Sequence, residues 1–342
     1  MKAVDSNCRI CQHSEMIRKG TFRTYLLLFL LIMAYGGTIP GAFGEPDASI
    51  QETEDGYYSD RFIFRGSDVD DLLLILLNFN RGRREEGHYG EFFGAVFHKN
   101  KWSFLEGNDR FLYPEIDLHT IQPSYFARAE GSPISGFKLR YDGGDFTIKL
   151  SSGPVRPLYI SDDGPNLKKK VGVAEAVATL HGNEYWGELI HEPVVWVGFN
   201  GLKRYKGLYK EYQGFYLATA AGRQVYFHQN KADRARFLRQ NNFSETLQEE
   251  GGVIQSDNEI IHTFKSPIPV TPLKRVTPPF AFYTVPQRWR IEASPVGTFF
   301  IWSREKISKN WILGGYYLMA IEGIMKNESG EERVWGFSEY FP

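Results

Sequence analysis

The densest group of chemically capable side chains begins at Tyr185-Trp186-Gly187-Glu188 and runs through His191-Glu192 to Trp196. Carboxyl, imidazole and indole groups at this spacing suit proton transfer to an unactivated alkene. That chemistry needs a carboxylic acid kept protonated by apolar surroundings, aromatic faces that stabilise a carbocation, and a group that relays the proton. Glu188 or Glu192 would be the acid, with His191 as the relay. Strand alternation offers a plainer reading: Trp186, Glu188 and Glu192 share one face, which would then look toward solvent. On the sequence, both readings stand.

Three further carboxylates, Glu175, Glu322 and Glu339, sit among apolar or aromatic neighbours. A buried carboxylate requires a partner, and Arg223, Arg288 and Arg290 are the expected ones. His88, His98, His119, His181, His191, His228 and His262 show neither H-x-H nor H-E-x-x-H spacing, so no metal site is expected. The sequence lacks a G-x-S-x-G elbow, a phosphate loop and a dinucleotide fingerprint, and no cofactor is expected.

Lys and Arg number 40 against 41 Asp and Glu, a balance that leaves no positive field to gather phosphate backbones. Nucleic acid is thereby excluded as a partner. Arg81-Gly82-Arg83-Arg84 is answered at once by Glu85-Glu86, as in a solvated turn. The 15% aromatic content, with 34 Gly and 17 Pro, favours many short strands joined by tight turns.

The elements that would position these groups begin after a leader. Tyr25 to Ala34 is an apolar run preceded by Arg18, Lys19 and Arg23 and followed by Gly36, Gly37 and Pro40, the layout of a secretory signal. Ala42-Phe43-Gly44 places small residues where a signal peptidase cuts, ahead of Glu45. The run is shorter than the ~20 residues that span a hydrocarbon core. A secreted or periplasmic protein is therefore expected, with retention of residues 1–44 as a membrane anchor as the alternative. Both cysteines, Cys8 and Cys11, belong to the leader, so the released chain has no thiol and takes its stability from its core.

Beyond the leader, strand-like runs recur at Arg61 to Phe64, Leu72 to Phe79, Glu91 to Phe97, Phe137 to Tyr141 and Phe146 to Leu150. Asp142-Gly143-Gly144-Asp145 marks a hairpin. Leu72 to Leu77 reads as a buried strand, although Asp70-Asp71 ahead of it could cap a short helix. The same texture returns at Gly214 to Thr219, Arg223 to His228, Ile260 to Phe264, Arg288 to Glu292, Gly297 to Trp302 and Gly315 to Ile324. Lys231 to Glu250 fits a helix or a hairpin arm, and the prolines of Ser266 to Phe280 predict an extended, poorly paired crossing. Val173-Ala174-Glu175-Ala176 with Trp186-Gly187 and Glu192 matches Ala320-Ile321-Glu322-Gly323 with Trp335-Gly336 and Glu339, once a gap is allowed before Trp335. That repeat marks two related β domains, residues 45–195 and 196–342.

An all-β chain with two such sets of antiparallel strands closes most simply into two barrels or sandwiches in tandem. A barrel of about eight strands has room for side chains and one small ligand. Tyr185, Trp186, Trp196, Tyr216, Tyr226 and Trp289 are the expected lining.

Three local patterns carry a resemblance to a known family. They are Tyr283-Thr284-Val285-Pro286-Gln287-Arg288-Trp289-Arg290-Ile291, the hairpin from Gly214-Phe215-Tyr216-Leu217 to Ala221-Gly222-Arg223-Gln224-Val225-Tyr226-Phe227, and Glu322-Gly323 followed by Gly336-Phe337-Ser338-Glu339. In these the chain resembles the AttH and carotenoid 1,2-hydratase (hydroxyneurosporene synthase) group. It departs from that group at Arg61-Phe62-Ile63-Phe64, where relatives have Glu-Trp-Trp, and at Gly182-Asn183-Glu184-Tyr185-Trp186-Gly187, which lacks a His-Asp portion. The resemblance implies two lipocalin-like domains on a scaffold that hosts carriers, hydratases and cyclases. The expected function is binding of an apolar small molecule, isoprenoid or lipid-like, in an aromatic-lined cavity. A hydratase or cyclase using acid catalysis is the first alternative, and a non-catalytic interaction module the second.

Overall fold

A computed structural model describes residues 57–68, 71–84, 87–107, 110–113, 121, 124–162, 167–196, 209–232, 250–256, 259–264, 268–278, 283–305, 311–312 and 316–341. The expected leader and residues 233–249 lie outside them. Among the described residues there is no helix. The chain forms two antiparallel sheets that repeat one plan.

The first sheet comprises β1 (Tyr57–Asp68), β2 (Asp71–Arg84), β3 (Gly87–His98), β4 (Lys101–Phe104), β5 (Arg110–Tyr113), β6 (Ala127–Ser132), β7 (Gly136–Gly143), β8 (Phe146–Ser152), β9 (Arg156–Asp162), β10 (Leu167–Leu180) and β11 (Asn183–Trp196). The second comprises β12 (Tyr209–Thr219), β13 (Gln224–Ala232), β14 (Glu250–Ser256), β15 (Glu259–Phe264), β16 (Val270–Val276), β17 (Val285–Ala293), β18 (Gly297–Ser303), β19 (Trp311–Ile312), β20 (Tyr316–Asn327) and β21 (Gly330–Phe341). Their orders, β4-β3-β2-β1-β11-β10-β8-β7-β6 and β15-β14-β13-β12-β21-β20-β18-β17-β16, correspond strand for strand.

Each sheet curls around its own apolar core. Phe62, Phe79, Phe137, Leu150 and Leu189 meet inside the first, and Phe215, Trp289, Phe299, Met319 and Tyr340 inside the second. A third apolar cluster forms where the outer faces of the two sheets meet, with Ile63, Leu74, Leu76 and Ile190 against Tyr216, Tyr226, Leu318 and Phe337. The central strands are thus buried on both faces.

That double burial accounts for the aliphatic run from Leu72 to Leu77. Leu73, Ile75 and Leu77 enter the first core while Leu72, Leu74 and Leu76 enter the seam. A strand with two covered faces reads as continuous hydrophobicity rather than alternation. The hairpin at Asp142 to Asp145 forms as expected, and Gly144 at its tip takes a φ of +53°, open to glycine at no steric cost. The proline-rich segment differs from expectation. Val270–Val276 pairs with β17, its register slipping around Pro272, and this is tolerated because β16 lies at the edge of the sheet among the described residues.

The repeat proposed from sequence needs no gap in three dimensions. The β10–β11 turn closes at Leu180↔Asn183 and the β20–β21 turn at Asn327↔Gly330. Counted from those turns, Glu175 falls on Glu322 and Glu192 on Glu339. Trp335 falls on Glu188, since each lies opposite the repeated glutamate, and not on Trp186.

Candidate functional site

β1 and β11 lie side by side at the centre of the first sheet, with Phe62 opposite His191 and Arg61 opposite Glu192. Successive side chains of a strand point to opposite faces. Asp60, Phe62 and His191 therefore turn into the first core, while Arg61, Arg65, Glu188 and Glu192 turn outward toward the second sheet. The three groups proposed for acid catalysis are consequently not brought together. His191 lies on one face of the sheet and Glu188 and Glu192 on the other. The outward face is not solvent at Glu192, which is only 2% exposed because the second sheet covers it.

On the inner face His191 is 4% exposed and its ring stacks on Phe62, with centroids 4.7 Å apart and planes 12° apart. The Phe137 ring, tilted by 59°, lies 4.6 Å from the imidazole and 4.9 Å from Phe62, so the three rings form one cluster. The His191 Nε2 lies 2.8 Å from Asp60 Oδ1, and Arg81 Nη1 donates to Asp60 Oδ2 at 2.7 Å. The Arg81 guanidinium in turn sits 5.4 Å from the centroid of the Tyr58 ring. Burial pushes the Asp60 carboxyl up, but the hydrogen bond from His191 and the charge of Arg81 outweigh it and hold the group below its ordinary value.

An ionised Asp60 accepts hydrogen bonds and cannot donate them, so His191 Nε2 carries a proton. The described residues give Nδ1 no partner. In the neutral ring that atom is a lone-pair base; in the charged ring it is an N–H acid. The site can therefore give or take one proton in aromatic surroundings.

The second sheet provides an internal comparison. Counted from the turns and carried across the ladders, Ser338 occupies the place of His191, Phe215 that of Phe62, Gln213 that of Asp60 and Trp289 that of Phe137. There Trp289 Nε1 donates to Gln213 Oε1 at 3.1 Å, Gln213 Nε2 donates to Ser338 Oγ at 3.2 Å, and Ser338 Oγ donates to the Gly214 carbonyl at 2.9 Å. These neutral groups satisfy one another. Among the described residues only the first sheet places an ionised carboxylate at this position.

The outer face holds a separate polar network. Arg61 Nη1 contacts both Glu339 oxygens, at 2.8 and 2.7 Å, and lies 3.6 Å from Glu192 Oε2. The Tyr216 hydroxyl bonds to Glu192 and lies 3.1 Å from Glu339 Oε1. Four residues further along β1, Arg65 Nη2 bonds to Glu188 Oε2 at 2.6 Å and to Gln224, and Gln224 also reaches Glu188. Two of the three arginines expected to serve the repeated glutamates do other work. Arg223 pairs with Glu332 and Arg290 with Glu292, whereas Glu322 takes the Trp302 indole and Arg304, and Glu175 is exposed. The reason is topological: Glu339 faces the opposing sheet, so its partner comes from β1.

The aromatic residues expected to line one cavity occupy several environments. Tyr185 lies on the inner face of the first sheet, its hydroxyl 3.2 Å from His98 Nε2. Tyr216 and Tyr226 lie in the seam, and Trp289 inside the second sheet. Trp186 is 69% exposed, and the Trp196 side chain lies outside the described residues. Among the described residues no three His, Cys, Asp or Glu side chains converge as metal ligands would.

Asp60 and Arg81 escaped sequence reasoning although a signal was present. In Tyr58-x-Asp60-x-Phe62-x-Phe64 a carboxylate interrupts an apolar period-two face, and Leu77-x-Phe79-x-Arg81 repeats the pattern with the opposite charge.

No protein-family model matches the sequence, and no curated protein matches it. Solved structures do. Kievitone hydratase from Nectria haematococca superposes with a TM-score of 0.57 at 12% identity, over 88% of this chain and 94% of that one. An AttH protein from Nitrosomonas europaea gives 0.56 at 10% identity, over 86% and 98%. CghA gives 0.52 at 11% identity, over 89% and 94%. At such identities the likeness is one of fold, and by fold this chain groups with kievitone hydratase and AttH.

Proposed function

We propose that the protein catalyses addition or removal of water, or a related proton-triggered cyclisation, on an apolar small molecule, with His191 as the proton-transfer residue. Asp60 orients the ring and Arg81 keeps Asp60 ionised. The observation that carries this reading is the contrast between the sister positions: Gln213 and Ser338 close their hydrogen bonds on each other, while the Asp60–His191 pair leaves Nδ1 without a partner among the described residues, in a ring packed against Phe62 and Phe137. A positively charged ring held by an ionised carboxylate can protonate an alkene through Nδ1, and the neutral ring left behind can take a proton from the water that adds to the cation. Flanking phenyl faces stabilise that cation. The hydratase name of one fold neighbour supports the reaction class.

The test is turnover. The purified protein is incubated in ¹⁸O-water with a panel of isoprenoid and prenylated aromatic alkenes, together with any compound that native mass spectrometry finds bound to it. A product heavier by one labelled water is expected from the wild type, and loss of at least about 10²-fold in rate from His191→Phe. Unchanged turnover in a folded His191→Phe protein overturns the assignment. Retention of an unaltered apolar compound by both proteins supports a carrier instead. The leader-like residues before Glu45 extend the proposal to an exported protein, checked by N-terminal sequencing of the secreted form.

A further inference from the structure

The row of residues that carries the inner pair is gripped from behind. Asp60 and Phe62 flank Arg61 on β1, and His191 precedes Glu192 on β11; Arg61 and Glu192 are themselves cross-strand partners. Both turn outward, where Glu339 of β21 holds Arg61 with both oxygens and the Tyr216 hydroxyl of β12 bonds to Glu192. At the other end of the row, Gln224 of β13 binds Arg65 and Glu188, another cross-strand pair. The second sheet thus fixes β1 and β11 on both sides of the Phe62–His191 row.

We infer that Glu339 and Tyr216 are positioning residues for the first sheet's proton-transfer pair, acting through Arg61 and Glu192, so that one half of the molecule sets the geometry of the site in the other. A 2.8 Å hydrogen bond between an imidazole and a carboxylate depends on the relative register and twist of the two strands that present them. Buried charged contacts placed on the same two strands, on the opposite face, restrict that register. The groups that face His191 among the described residues are Asp60 from β1, with Arg81 of β2 behind it, and the uncharged rings of Phe62 and Phe137. None of these comes from the second sheet. Apart from the through-space field of its charges, any effect of that sheet on His191 therefore travels through the backbone of β1 and β11.

The inference rests on His191 being the working residue, but its test needs no substrate. Full-length protein with ¹⁵N-labelled histidine is titrated by NMR, the His191 signals being assigned by their absence in His191→Phe. In the wild type the neutral ring is expected to hold its proton on Nε2. In Tyr216→Phe, which changes no charge, and in Glu339→Gln, both tautomers are expected. Val334→Ala, a truncation inside the second core, serves as a control for general loosening and is expected to leave His191 as it is. An unchanged tautomer in both seam variants overturns the inference, as does an equal change in Val334→Ala. Should Glu339→Gln not fold, Tyr216→Phe decides alone. Loss of the catalytic reading would show instead as undiminished turnover in His191→Phe, independently of these spectra.

Discussion

Asp60 is the residue on which the candidate site turns, because its one carboxylate bonds a buried imidazole and a buried guanidinium. Removing one member of such a group leaves uncompensated charge in a low-dielectric interior. Asp60→Asn is expected to destabilise the protein by about 3–5 kcal/mol at neutral pH, as measured by urea unfolding. Its pH dependence has a definite sign. The folded carboxyl titrates below its ordinary value of 3.8, so the stabilisation it supplies is complete above that value and is lost as pH falls through the folded one. Between about pH 5 and about pH 2, wild-type stability should fall more steeply than that of Asp60→Asn. Parallel curves would show that Asp60 is not held ionised. His191→Phe differs from both, since a third phenyl packed against Phe62 and Phe137 leaves Asp60 still bonded to Arg81. The variant should stay folded while losing turnover.

At the level of elements, the site depends on the close approach of β1 and β11. Gly66 and Gly187 face each other across this pair, and a Cβ on Gly187 would lie 2.1 Å from the Arg65 carbonyl oxygen and 2.6 Å from the Gly66 Cα. Both obstacles are backbone and cannot swing away. Gly187→Ala should therefore push the strands apart, with a loss of about 1–3 kcal/mol in urea unfolding and faster amide exchange along β11. Stability and exchange equal to the wild type would mean that the strands separate freely there. The β10–β11 and β20–β21 hairpins share one register but carry different chemistry, because a strand's ladder depends on backbone groups while its side chains are free to diverge.

The whole molecule is organised by its seam. Ile63, Leu74, Leu76 and Ile190 of the first sheet share one buried cluster with Tyr216, Tyr226, Leu318 and Phe337 of the second. Neither sheet alone would hide this face: the Arg61–Glu339 pair, which joins the two sheets, would be lost, and Arg65–Glu188 would lose its shielding. Calorimetry is expected to show one unfolding transition for the intact chain. Leu318→Glu, which buries a carboxylate in the seam, should lower the midpoint and split the transition in two. Two transitions in the wild type would show that the sheets fold independently and that the seam contributes little.

Much of this architecture was legible in the residues alone. Period-two alternation, Gly-rich turns and the repeated glutamates identified an all-β chain with two similar halves, because strand formation and turn geometry are local and leave local patterns. The continuous leucines of β2 also fitted a strand, although the sequence did not reveal that their second covered face belongs to a seam. The grouping of Glu188, His191 and Glu192 fared differently. Nearness along a strand separates neighbours onto opposite faces, and which face meets a curled interior and which meets another sheet depends on contacts between residues far apart in the chain. Asp60 meets His191 across 131 residues and Arg61 meets Glu339 across 278. Such pairings arise only when the sheets close and pack, so no local pattern records them.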